Sequence, residues 1–310
     1  MISVIIPVYK VEAYVNECLT TIKEQNYADI EVLCIIDGST DNSETICRKF
    51  ASKDDRFKVY VQSNAGVSAA RNLGLSKARG EYVCFVDADD KIHKDYLKNL
   101  LTLHKYGAMP IISFSSSDEG LGVGGNTKSY QAKEYIQHIF AEDITHPNLW
   151  AMLFERKIIE DNNLRFYVGC IKNEDTEFFV KYMAHINMVV VSDYKGYYYR
   201  INPNSVMQSG LNKKSLTSIE AQDRMAKYLV DAGIYNEANY LLSNSVQVYV
   251  FSAARSKNLE IYDYLHSKYD VKYHMKKELW HPRLGRKGVS LAYLLLGKKW
   301  FFRVMSITRR

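Results

Sequence analysis

The chain opens on Ile2-Ser3-Val4-Ile5-Ile6-Pro7, an apolar-rich run of the kind that fills a strand buried on both faces. Val11, Tyr14, Val15, Cys18, Leu19 and Ile22 then recur at three- and four-residue steps, which predicts a helix with one apolar face. The two patterns alternate from there. Residues 30–36 read as a second buried strand, Asp41-Asn42-Ser43 as a cap for a helix whose inner face is Ile46, Cys47 and Phe50, and residues 57–61 as a third strand. A helix over residues 69–78 leads into a fourth strand, Tyr82-Val83-Cys84-Phe85-Val86, and Leu97, Leu100, Leu101 and His104 mark the next helix. Strict alternation implies right-handed β-α-β crossovers and an α/β fold with a parallel sheet.

After Pro110 the alternation breaks down. Residues 111–114 are strand-like, but the Ser- and Gly-rich stretch 115–126 predicts a mobile loop near the opening of a site. Helical patterning returns over 132–140, and residues 188–191 and 196–199 read as short strands. From residue 216 onward the pattern is helical only, with apolar faces such as Ile219, Met225, Leu229 and Leu241, Leu242, Val246. The expected organisation is an α/β domain over 1–215 and a C-terminal helical domain over 216–310, in keeping with a prior of about 100 to 200 residues per domain.

Charge sharpens the picture at one end. The formal net charge is +6, yet residues 281–310 hold eight Lys/Arg and no acid, so the other 280 residues carry +6 less +8, or −2. The body therefore lacks the basic stripe of a nucleic-acid-binding protein, and nucleic acid is not expected as a partner. Cysteines at 18, 34, 47, 84 and 170 form no Cys-x-x-Cys pair, which suggests packed, reduced thiols and a cytoplasmic protein. Starting at once on a strand, with neither a basic segment nor a signal-length apolar core, also argues against secretion.

Chemistry is concentrated where the strands end, on the edge where open parallel sheets bind ligands. Asp87-Ala88-Asp89-Asp90 follows the fourth strand; acids so close repel one another as they lose hydration, and a divalent cation is the simplest way to keep them ionised. Asp90 could alternatively cap the following helix. Pro7-Val8-Tyr9-Lys10 follows the first strand, where Tyr9 could stack on a base. Asp37-Gly38-Ser39-Thr40-Asp41 follows the second, and Asp37 could accept a hydrogen bond from a uracil-type imide, although the segment is also good turn chemistry. The third strand leads into Asn64-Ala65-Gly66-Val67-Ser68-Ala69-Ala70-Arg71-Asn72, whose Gly66 permits close approach and whose Arg71 offers a fixed donor fork.

Taken in order, Ile5-Ile6-Pro7-Val8-Tyr9, Asp37-Gly38-Ser39-Thr40-Asp41-Asn42-Ser43, the stretch from Asn64 to Gly74 and Asp87-Ala88-Asp89-Asp90 resemble family 2 of the glycosyltransferases over about the first hundred residues. The resemblance implies a GT-A (Rossmann-like) fold, a mostly parallel sheet flanked by helices, with a C-terminal helical region. It also implies inverting, metal-dependent transfer from a nucleotide sugar, commonly a UDP-sugar, with Mn²⁺ or Mg²⁺. Pro7, Tyr9 and Asp37 would surround the base, Asn64, Gly66 and Arg71 would complete the nucleotide-sugar site, Asp87 would lie near ribose and metal, and Asp89 would be the metal ligand. Two positions depart from the family: Ile36 stands where an acid often precedes the Asp, and Lys10 where Asn often follows the Tyr. Both touch the choice of base and neither touches the metal.

Asn173-Glu174-Asp175, ahead of Phe178 and Phe179, resembles the family's acidic pair at a helix start under the acceptor, which implies Asp175 as general base and Glu174 as an acceptor-binding or orienting group. Favourable acids in a first helical turn are the plainer reading. Arg200, in Tyr197-Tyr198-Tyr199-Arg200, and Ser205 resemble an element that closes over the pyrophosphate. Trp150 is a candidate acceptor-side sugar platform, with core packing as the stronger claim on it. Acceptors implied are hydroxyls of glycans, lipid-linked or protein-linked. A nucleotide-sugar-binding partner without transferase activity is the alternative; a nucleotidyltransferase would need a glycine-rich first loop, which Pro7-Val8-Tyr9-Lys10 is not. Leu291 to Leu296 and Trp300-Phe301-Phe302, amid cations, are too short to span a bilayer, leaving peripheral contact with the inner membrane face or homo-oligomerisation through this C-terminal region.

Overall fold

A computed structural model describes residues 1–104, 108–142, 148–170, 172–201, 216–279 and 284–307. The alternation holds through the first hundred residues: β1 (Ile2–Val8), α1 (Val15–Lys23), β2 (Ile30–Asp37), α2 (Ser43–Ala51), β3 (Phe57–Gln62), α3 (Val67–Lys77), β4 (Tyr82–Phe85), β5 (Lys91–Ile92) and α4 (Tyr96–His104). Next come β6 (Met109–Ser115), β7 (Thr127–Gln131), α5 (Ala132–Glu142), β8 (Phe154–Glu155), α6 (Arg156–Asp161), α7 (Glu174–Met183) and β9 (Met188–Tyr198).

The first sheet has the order β3-β2-β1-β4-β8, parallel except for the antiparallel edge β8. Every residue of β2 is buried, and the isoleucines and valines of β1 are wholly buried, because helices cover both faces of a parallel sheet. Side chains of that size each contribute about 1.5–3 kcal/mol on burial. Close approach of α3 needs Gly74: a Cβ there would run into Ile5 Cγ2 of β1. The four parallel strands thus end on one edge, as the expected α/β architecture requires.

A second sheet gathers β5, β6 and β7 around β9, with β6 parallel and the other two antiparallel to it. What reads from sequence as two short strands, 188–191 and 196–199, is this single strand. The expected mobile loop 115–126 is corrected too. Gly122 N donates to Lys195 O (2.7 Å), Lys195 N to Val123 O (2.7 Å), and the amides of Gly125 and Asn126 both donate to Asp193 Oδ1 (2.6 and 2.8 Å). Composition showed the turn-formers; the partner strand lay seventy residues further on.

Contacts divide the chain into two compact units, Met1–Ile139 with Asp143–Gly169 and Glu174–Pro203, and Phe140–Glu142 with Cys170–Asn173 and Asn204–Arg310. The second is helical: α8 (Leu216–Asp231), α9 (Tyr235–Arg255), α10 (Leu259–Lys268), α11 (Val271–Leu279) and α12 (Leu284–Ile307), around Ile219, Val246, Val250, Leu265, Met275 and Phe301. The expected domain boundary at 215/216 falls at the end of segment 202–215, which lies outside the described residues. All five cysteines are buried and free of disulfides. Among the described residues no helix is long and apolar enough to cross a membrane.

Candidate active site

Four loops meet at the carboxyl ends of β1 to β4, and the first two are laced together. Lys10 N donates to Ser39 Oγ (3.0 Å), Val11 N to Ser43 Oγ (3.0 Å) and Glu12 N to Asp41 Oδ2 (3.1 Å), while Asn42 N returns a bond to Glu12 Oε2 (2.8 Å). These bonds satisfy amides of residues 10–12 ahead of the helix, and α1 starts at Val15 after a turn closed on Val11 O, four residues later than the apolar pattern suggests. Pro7, next to last in β1, is half-buried, and Tyr9, 45% exposed, stands just beyond the strand with the Lys10 ammonium 5.3 Å from its ring.

Asp37 is buried, and its carboxylate organises the third loop. Oδ1 accepts from Gln62 Nε2 and Ala65 N (both 2.8 Å) and Oδ2 from Gly66 N (2.9 Å), while the Asn64 amide donates to Asp37 O (3.1 Å). With about four acceptor sites on a carboxylate, one is left for a ligand. Gly38 lets the loops approach this closely: at φ 68°, a Cβ there would lie 2.7 Å from Asn64 N. At Gly66 a Cβ would meet nothing within 4 Å, so the space ahead of α3 is open.

Arg71, on α3, is the junction. Its side chain is 7% exposed, with Nη2 3.4 Å from Asp87 Oδ1 and Nη1 3.2 Å from Glu174 Oε1, so one guanidinium joins the acid loop after β4 to the acid pair that opens α7. Burial works against its charge, and the surrounding Asp87, Glu174 and Asp175 more than restore it. The buried Nε has no partner among the described residues. Neighbouring Asn72 pairs with both backbone groups of Phe166, donating to its O (2.8 Å) and accepting from its N (2.9 Å).

The acid loop is held from β9. Tyr197 Oη donates to Asp90 Oδ2 (2.8 Å) and accepts from Asp87 N (3.1 Å), and Asp90 Oδ1 accepts from Arg200 N (2.8 Å). Asp90 is therefore a buried clasp; helix α4 begins only at Tyr96, which corrects the cap reading. Burial, then the Asp87 charge, pushes the Asp90 carboxyl up to about 8. Asp89 is also raised, by burial first and then by Asp87. Arg200 Nε donates to Asp89 O (2.7 Å), its Nη2 pairs with Glu17 Oε2 (2.6 Å), and the guanidinium lies 4.9 Å from the Tyr14 ring, so Arg200 sits beside the acid loop. Ser205 lies outside the described residues.

Trp150 requires a correction. Its ring is 5% exposed and stacked on Tyr197 at 4.0 Å and 13°, with Phe114 edge-on at 5.3 Å. No open face remains for a sugar; the indole supports the tyrosine that positions the acid loop. Tyr197 and Glu17 are the site residues to which sequence reading gave no role, and Asp90, read there as part of the acid cluster or as a cap, is the clasp. Period-two alternation in the strand over 196–199 does place Tyr197 and Tyr199 on one face, and both rings stack on Trp150.

On α7, Glu174 is pushed up to about 7, by burial first and then by Asp175, with Arg71 pulling the other way. Asp175 is half-buried and its Oδ1 accepts from Thr176 N (2.7 Å). Among the described residues no three His, Cys, Asp or Glu side chains converge as a metal cage. Two mutually opposed carboxylates, Asp87 and Asp89, nevertheless fit a hard oxygen-seeking cation of the Mg²⁺ or Mn²⁺ type, which commonly takes one or two protein carboxylates and completes its shell with phosphate and water.

Comparison with known proteins agrees with this geometry. The family described as Glycosyl transferase family 2 matches residues 3–172. The EpsH protein of Bacillus subtilis (strain 168) is 33% identical over 250 residues, 77% of this chain and 70% of its own length. Glycosyltransferase GlyA of Streptococcus pneumoniae serotype 4 is 33% identical over 248 residues, 75% of this chain, which spans only 35% of that relative. Among solved structures, residues 1–349 of Staphylococcus aureus TarS in complex with UDP-GlcNAc superpose with a TM-score of 0.65 at 21% identity, over 99% of this chain and 88% of that one. That likeness carries the fold, an α/β mostly parallel sheet flanked by helices with a helical region after it. The chain belongs to glycosyl transferase family 2 and is a glycosyltransferase of GT-A fold.

Proposed function

We propose that this glycosyltransferase is inverting and metal-dependent, moving a sugar from a UDP-sugar to a hydroxyl of a glycan, lipid-linked or protein-linked acceptor in the cytoplasm. One observation carries the reading: Arg71 reaches Asp87 and Glu174 with the two arms of one guanidinium, so the acids of the donor end and the acids of the acceptor end share a single buried anchor. The UDP choice is supported by TarS, solved with UDP-GlcNAc and with UDP, by the open space before Gly66 and by the exposure of Tyr9. We assign this chemistry to residues 1–215 and a separate helical domain to 216–310.

In this reading Tyr9 stacks on the base, Pro7 and the remaining acceptor site of Asp37 border it, and Asn64 and Gly66 keep the third loop clear of the phosphates. Asp89, with Asp87, would hold Mn²⁺ or Mg²⁺, which when bound neutralises charge developing on the diphosphate. Asp175 accepts the proton of the acceptor hydroxyl as its oxygen bonds to the anomeric carbon. The bond from that carbon to the diphosphate breaks on the opposite face, and the nucleoside diphosphate leaves with the electron pair. Glu174, held by Arg71, orients Asp175, while Arg200 borders the leaving group; Ser205 is assigned to the same role from the sequence alone.

Product analysis for free nucleoside diphosphate, with donor affinity measured alongside, tests these roles. Asp175→Asn lowers turnover by about 10²- to 10⁴-fold, the usual worth of a general base, with donor affinity unchanged. Asp89→Ala removes the dependence of donor affinity on Mn²⁺. Glu174, placed at about 7, is the second candidate base on its own observation. Wild-type turnover in Asp175→Asn, with turnover lost in Glu174→Gln, would move the role there.

A further inference from the structure

Gly297, with φ 68° and ψ 172°, breaks α12 into two helical halves. One face of each enters the core of the helical unit: Ser290, Tyr293 and Phe301 are buried, and Leu294, Phe302 and Met305 pack on the same cluster. The outward face of each half is exposed and apolar. Leu291 and Leu295 lie four apart before the break, and Trp300, Val304 and Ile307 lie four and three apart after it, which is the spacing of a single row along a helix. Leu295, Trp300 and Ile307 are 76%, 60% and 78% exposed, where a helix in water would place polar groups.

The charged groups between these rows are Lys298, which pairs with Asp263 of α10 (2.7 Å), and Lys299 and Arg303. Lys298, Lys299 and Arg303 are exposed, the Arg303 guanidinium lies 5.3 Å from the Trp300 ring, and residues 281–310 contain no acid. A second copy of this face would bring its own lysines and arginines against these. An anionic lipid surface meets both features, since it offers an apolar boundary to the row and negative headgroups to the cations. Trp300, apolar in its ring and polar at its N–H, suits that boundary. Broken at Gly297, the helix is not long and apolar enough to cross a bilayer, so it would lie along one.

We propose that the outward face of α12 seats the protein on an anionic lipid membrane, with Leu295 and Trp300 at the headgroup boundary and Lys299 and Arg303 on the phosphates. It draws on a different unit from the sugar-transfer site and stands without it. The test is flotation of the full chain with vesicles of phosphatidylcholine alone or mixed with phosphatidylglycerol, at low and high salt. Binding is expected to the anionic vesicles only and to weaken with salt. Lys299→Gln with Arg303→Gln lowers partitioning by about 25-fold, at about fivefold per cation. Leu295→Ser with Trp300→Ser lowers it while leaving the melting temperature in place, because both side chains are outside the core. Equal partitioning into neutral vesicles, or none into either, overturns the proposal. So does a concentration-dependent dimer that the serine variant dissociates without any change in vesicle binding, which would make this a contact between copies.

Discussion

Tyr197→Phe deletes one oxygen and isolates the clasp on the acid loop. The ring remains stacked on Trp150 at 4.0 Å, so packing is retained and only two hydrogen bonds are lost. Asp90 Oδ2 loses its donor at 2.8 Å and Asp87 N its acceptor at 3.1 Å, in a place where Asp90 is 2% exposed and the tyrosine wholly buried. An orphaned buried group costs about 1–3 kcal/mol, and with Asp87 only partly buried the sum is about 2–4 kcal/mol. For a unit of roughly 200 residues, at about 2–4 °C per kcal/mol, the melting temperature falls by about 4–16 °C. Differential scanning fluorimetry reads this directly, with Tyr199→Phe as the control for the same chemical change on a half-buried ring nearby. Mn²⁺ titration of donor binding gives the second readout: a loosened Asp87-Ala88-Asp89 turn weakens it, even though no ligand has been removed. A melting temperature within a degree of wild type, together with unchanged Mn²⁺ dependence, would refute the clasp.

Glu174 gives a pH dependence of defined sign. Its folded value of about 7 lies above the ordinary 4.5, so its protonation stabilises the fold; that contribution is complete below about pH 4.5 and lost as pH rises through about 7. Permanently neutral Glu174→Gln escapes the loss, so its melting temperature should rise relative to wild type between pH 5 and 8, and a constant difference would count against the burial of this carboxyl. Gly74→Ala drives a methyl into Ile5 and should cost about 1–3 kcal/mol in thermal unfolding, as overpacking does; an unchanged melting temperature would mean that α3 does not lie so close on β1.

The first four β-α units were legible because their signal is local: a strand buried on both faces is a run of apolar residues, and a helix on a sheet repeats its apolar face within a few positions. The edge of the sheet that carries the chemistry followed, since parallel strands must all end on one side. What stayed hidden was which groups those loops spend on one another. Asp37 reads as a free acceptor, yet Gln62, Ala65 and Gly66 take three of its sites from the end of β3 and the loop after it, residues brought alongside by the β2–β3 pairing. Arg71 reads as a donor fork for a ligand, but its partner Glu174 lies 103 positions away. Tyr197 was the nearest miss, because alternation puts it on the inner face of its strand. Its hydroxyl reaches Asp90 only because β9 pairs antiparallel with β5, and a strand of two residues, Lys91 and Ile92, has too little length to show any period. The acid loop thus owes its position to contacts that local periodicity cannot encode, and Asp89 and Arg200, joined here through a backbone carbonyl, are set by the same pairing.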